Sequence, residues 1–157
     1  MREEFERYRA EKAEAWLNDV RQLGIKCATL KDAIEQERAN SEGVQAVCYD
    51  GMPHAQSSGD ALPNAVARIQ DAISEFATEM AGYVEAQIEA NRRLMRMDDA
   101  SCSGCLVRYY VLGKSWKEVC EDMGYSFDGI MKLRRRALAM AYGVMPNEWR
   151  DPMEPAI

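Results

Sequence analysis

The sequence predicts an all-α protein: a long helical hairpin or coiled-coil-like N-terminal half, followed by a C-terminal helix-turn-helix domain. Three observations carry this expectation. Apolar residues recur at alternating spacings of four and three from Trp16 to Ile34 and again from Ile69 to Leu94, the period of a helix that lays one seam against a partner. Between these runs, residues 41–63 hold Gly43, Gly51, Pro53, Gly59 and Pro63 among Ser, Asp and Asn. Residues 115–142, SWKEVCEDMGYSFDGIMKLRRRALAMAY, read as two short helices broken by a tight turn.

The first 40 residues read as one helix whose seam is Trp16, Val20, Leu23, Cys27, Leu30 and Ile34, flanked by charge. The glycine- and proline-rich stretch 41–63 ends it as a loop. A second helix runs from about Asn64 to Met97, with Ile69, Ile73, Phe76, Met80, Tyr83, Gln87, Ala90 and Leu94 on its seam. At 1.5 Å per residue each helix is roughly 50 Å long. A hairpin that elongated does not hide a wide apolar stripe by itself, so the N-terminal helices are expected to form a homo-oligomer. The segment DDASCSGC then turns the chain, and Cys105 to Leu112 forms a buttressing helix through Leu106, Tyr109, Tyr110 and Leu112. Three prolines in the last twelve residues rule out a continuing helix in the tail, which is expected to be extended with Trp149 pinned to the domain or a partner. The expected organisation is thus 1–97 for the hairpin and oligomerisation segment, 98–145 for the helix-turn-helix domain and 146–157 for the tail.

Within the helix-turn-helix, Ser115 and Glu118 have the spacing of a capping box, in which each side chain accepts from the other residue's backbone N–H. Val119 and Met123 fall on one face, Gly124 permits the left-handed turn that ends the helix, Tyr125 fills the corner and Ser126 caps the next helix. There Ile130, Leu133, Ala137, Leu138 and Ala141 repeat at helical spacing and should face inward, while Lys132, Arg134, Arg135 and Arg136 lie elsewhere on the surface. A capped helix with an apolar back and a basic front fits the major groove of DNA. The expected DNA-contacting residues are Lys114 at the entrance and Ser126, Phe127, Asp128, Gly129, Met131, Lys132, Arg135 and Arg136 on the second helix. Gly129 reads first as plain tolerance of glycine in a first turn, with close approach of the backbone to a phosphate as the alternative.

The residues Ser115, Trp116, Glu118, Val119, Cys120, Met123, Gly124, Tyr125, Ser126, Ile130, Leu133, Ala137 and Leu138 resemble region 4 of bacterial sigma-70-type factors, whose pattern is T-L-x-E-I-A-x-x-L-G, V-S, x-x-x-V-x-x-I-x-x-x-A-L. The wording YYVLGKSWKEVCEDMGYS after a helical half with a DGMPH loop is similar to small phage and prophage regulators of the ArpU-like kind. The resemblance implies a transcriptional regulator that binds double-stranded DNA, contacts host RNA polymerase as a second partner, and works in the cytoplasm of a bacterial host. Where sigma region 4 reads promoter bases with Arg, Glu and Gln, this chain has Phe127, Asp128 and Lys132, which argues against recognition of a standard promoter element.

Charge is polarised along the chain. The net charge is −6, but residues 1–100 carry 12 basic and 19 acidic residues, whereas 106–150 carry 8 basic and 5 acidic. A cationic head on an acidic body favours local contact with DNA over wrapping. The charged N-terminus is unlike a signal peptide, no apolar run approaches the ~20 residues of a membrane span, and five cysteines without a signal fit a reducing cytoplasm.

Neither a metal, a cofactor nor catalysis is expected. Cys102 and Cys105 form a C-x-x-C without a second ligand pair, and Cys120 and the lone His54 could complete it only if the fold gathered them. Gly113-Lys114-Ser115 imitates the end of a phosphate-binding loop, but Arg108 stands where that motif needs its first glycine. No nucleophile is set beside a base. Two alternatives to the regulator remain. One is a small-terminase-like packaging subunit, although those usually place the DNA-binding unit first. The other is a polymerase-binding adaptor without DNA contact.

Overall fold

The computed structural model describes the backbone of residues 1–49 and 61–150, with side chains except at 41–49, 61, 62 and 65. All regular structure among these residues is helical: α1 (Arg2–Tyr49), α2 (Ala61–Leu94), α3 (Ala100–Leu106), α4 (Trp116–Met123) and α5 (Phe127–Ala141). A π-helical turn, Val107–Val111, extends α3, and two 3-10 turns, Tyr142–Val144 and Asn147–Trp149, follow α5. No helix among the described residues is long and apolar enough to cross a membrane.

Two boundaries differ from those the sequence suggests. Both ends of the loop expected at 41–63 are helical, because α1 continues to Tyr49 and α2 starts at Ala61. A single glycine costs a helix only about 1 kcal/mol, so Gly43 does not stop α1. Pro63 is the third residue of α2, where the N–H it lacks has no acceptor within the helix. The rest of the expected loop, with His54, lies outside the described residues. Downstream, α2 ends at Leu94, and DDASCSGC is a turn only at its start: Asp99 caps α3 by accepting from the N–H groups of Ser101 and Cys102 at 3.0 and 3.1 Å. The tail is also less extended than expected at its start, where Asn147–Trp149 forms a 3-10 turn, and Trp149 packs half-buried against the core as its expected pinning requires. Residues 151–157 lie outside the described residues.

The chain forms two compact units. One joins Met1–Ile25 to Tyr83–Ile157, and the other is Lys26–Gly82. The expected boundary at residue 97 therefore does not separate a helical half from the helix-turn-helix, because both long helices contribute their outer ends to it. The first unit has a continuous core in which Ala13, Trp16, Leu17 and Val20 of α1 and Ala90 and Leu94 of α2 are buried together with Cys102, Cys105, Leu106 and Tyr110. From α4 and α5 come Val119, Ile130, Leu133, Ala137, Leu138 and Ala141. In the second unit, the seam residues Cys27, Leu30, Ile34, Ile69, Ile73, Phe76 and Met80 are half-buried. Leu112, expected in the buttress, is 61% exposed because the π-helical turn ends just before it.

Candidate nucleic-acid interface

The local chemistry of the helix-turn-helix follows the sequence closely. Ser115 Oγ accepts from the Glu118 N–H at 3.2 Å, and the Glu118 carboxylate accepts from the Ser115 N–H at 2.8 Å. Gly124 ends α4 with φ 72°, a left-handed conformation that costs glycine nothing. Ser126 Oγ accepts from the Gly129 N–H at 3.1 Å and starts α5. The whole expected apolar face of α5, Ile130, Leu133, Ala137, Leu138 and Ala141, is buried.

Contacts from the long helices hold the approach to this motif. The Tyr109 and Trp116 rings stack with centroids 3.9 Å apart and planes 11° apart. The Arg21 guanidinium of α1 lies 4.0 Å from the Tyr109 ring centroid and donates to the carbonyls of Tyr109 and Lys114. Gln87 of α2 donates to the Val111 carbonyl at 3.3 Å. A side chain at Gly24 would meet that same Gln87 amide, its Cβ falling 2.6 Å from Nε2, so glycine lets the two long helices close here. Arg134 sits 5.7 Å from the Trp116 ring, donates to the Tyr110 hydroxyl at 3.3 Å and pairs with Glu14 of α1. Burial pushes the Tyr110 phenol up from its ordinary value, so it is neutral at physiological pH and able to accept this bond.

The expected contact residues fall into three groups. Phe127, Asp128, Lys132 and Arg135 lie exposed along α5, Phe127 at 62%, with Met131 half-buried beside them. Ser126 and Gly129 are engaged in the cap. A Cβ at Gly129 would stand 3.1 Å from Ser126 Oγ and 3.4 Å from Tyr125, which accounts for the glycine by crowding at the cap. Lys114 and Arg136 are tethered: Lys114 pairs with Asp122 of α4, and Arg136 reaches Asp99 at 3.4 Å. Asp99 is held below the usual carboxylate range, chiefly by the Cys102 backbone N–H, so it keeps its charge toward Arg136.

Cys102 and Cys105 are fully buried free thiols. Burial raises both, Cys105 to about 11, which disfavours the thiolate. Among the described residues no group of three His, Cys, Asp or Glu side chains could hold a metal ion.

Sequence reasoning did not find Glu14 and Arg21 as supports of this site. Their spacing of seven places them on one face of α1, a signal that was present, but nothing local to α1 names Arg134 or Tyr109 as their partners.

A capped helix, an αL glycine turn and a second helix with a buried apolar back define a helix-turn-helix unit within an all-α protein. No family model matches the chain, and no curated protein or solved structure matches it either.

Proposed function

We propose that the protein is a sequence-specific DNA-binding transcriptional regulator of the phage type its sequence resembles, with α5 reading the major groove. The observation that carries this reading is the division of α5. Ile130, Leu133, Ala137, Leu138 and Ala141 face the core, and Phe127, Lys132 and Arg135 stand in solvent. In this reading Phe127 touches a thymine methyl, Lys132 reaches guanine acceptors, and Arg135 and Arg136 bind flanking phosphates. The helical seam, half-buried in the Lys26–Gly82 unit, brings copies together as a homo-oligomer, and the protein works in the cytoplasm of a bacterial host.

The test is a binding selection on random duplexes with the full chain, followed by salt titration on the selected site. The expected result is an enriched motif and an affinity that falls steeply with salt, because phosphate contacts release counterions. Absence of duplex binding at low salt, where the electrostatic attraction is strongest, would replace this reading with that of a polymerase-binding adaptor.

A further inference from the structure

α1 and α5 enclose a groove of about 1220 Å³ whose walls carry opposite charge. Lys132, Arg135 and Arg136 line it from α5, and from the first three turns of α1 come Glu3, Glu6 and Glu11 with Arg7 and Arg9 between them, so the α1 wall is acidic only in net charge. At the same seam the ion pair of Glu14 with Arg134 ties the two helices. Glu6 and Glu11 also face Arg2 and Arg7 one turn away, at 3.5 and 3.1 Å. These pairs are open to water, so they hold their partners weakly. Glu3 has no ion pair among the described residues.

A duplex docked on α5 places a phosphate strand along each side of that helix. On the α1 side the strand meets the groove, where it must share the α5 cations with these carboxylates. The Glu14–Arg134 ion pair brings the two walls together at the seam, and charges at 0.1 M salt are screened only over about 10 Å, so carboxylates and cations near that seam act on the same phosphates. We propose that the start of α1 is an acidic wall standing where a DNA backbone strand would run, and that it lowers the affinity of the α5 face for every duplex. The inference rests on the DNA-binding reading and adds a residue set, from the opposite end of the chain, that opposes it. Such a brake suppresses occupancy of the many non-specific sites a genome offers and leaves base contacts to decide where the protein stays.

The experiment compares three full-length proteins on one duplex across a salt series. They are the wild type, a groove variant (Glu3→Gln, Glu6→Gln and Glu11→Gln) and a control variant (Asp32→Asn, Glu35→Gln and Glu37→Gln). Both variants lose the same charge, and all six residues are exposed, so both should keep wild-type helicity by circular dichroism. The groove variant is expected to bind about tenfold more tightly than wild type at low salt, with the gain shrinking as salt rises, and the control to change less than about threefold. A groove variant with unchanged affinity, or two variants with equal gains, would overturn the acidic wall while leaving DNA binding intact. If neither the wild type nor the groove variant bound duplex at low salt, the DNA-binding reading itself would fall.

Discussion

Glu14 in the fourth turn of α1 accepts a hydrogen bond from Arg134 in the middle of α5, so residues 120 positions apart fix α5 against α1. Arg134 is three-quarters buried and also bonded to Tyr110, which leaves it little water to turn to when Glu14 is lost. Glu14→Gln should destabilise the protein by about 1–2 kcal/mol, the range for a charged hydrogen bond discounted for partial exposure. Urea unfolding of Glu14→Gln, Arg134→Met and the double variant measures the coupling. Additive effects would mean that the pair contributes nothing beyond its members.

The helix-turn-helix depends on the outer ends of α1 and α2 for its core, since Trp16, Leu17 and Leu94 are buried in the same cluster as Leu106 and Ile130. A fragment of residues 98–157 is therefore expected to lose cooperative thermal unfolding. In the full chain Leu17→Ala, at a fully buried position, should cost about 2–5 kcal/mol. A cooperative melt from the fragment at the wild-type temperature would show that the long helices are dispensable to this unit.

Acid should weaken the start of α3. Asp99 has a lowered pKa in the folded protein, so its contribution is present above its unfolded value of about 3.9 and is lost as pH falls through the lower folded value. Asp99→Asn keeps a capping oxygen but does not titrate. Its urea midpoint should therefore fall less than that of the wild type between pH 6 and pH 3. Identical losses in the two proteins would remove Asp99 from the acid response.

The two arginines after Arg134 should differ in their effect on DNA binding, because Arg136 is engaged with Asp99 and Arg135 is not paired among the described residues. Arg135→Ala is expected to weaken binding to all duplexes alike and to reduce the logarithmic salt slope by about 1. Arg136→Ala should change the slope less. Lys132→Ala should instead relax preference at one or two base pairs, by about 1–3 kcal/mol at those positions. An unchanged binding-site profile for Lys132→Ala takes this lysine out of base reading.

Features that neighbours along one helix decide were legible in the chain's residue order. The capping box of Ser115 and Glu118, the left-handed Gly124, the Ser126 cap and the buried face of α5 all depend on residues within about three turns of one another, and their spacing is visible in one dimension. The seam residues Trp16, Val20, Ala90 and Leu94 were legible in the same way, as faces that must be covered. Only the tertiary structure decided what covers them. Periodicity tells which side of a helix leaves water, but the identity of the partner depends on long-range packing. Trp16 and Leu94 therefore read as parts of a separate hairpin when they belong to the core of the helix-turn-helix unit. The same limit applies to charge: Arg134, Arg135 and Arg136 are consecutive and chemically identical. Burial beside Glu14 and Tyr110, open solvent, and the nearness of Asp99 are what give the three their separate places.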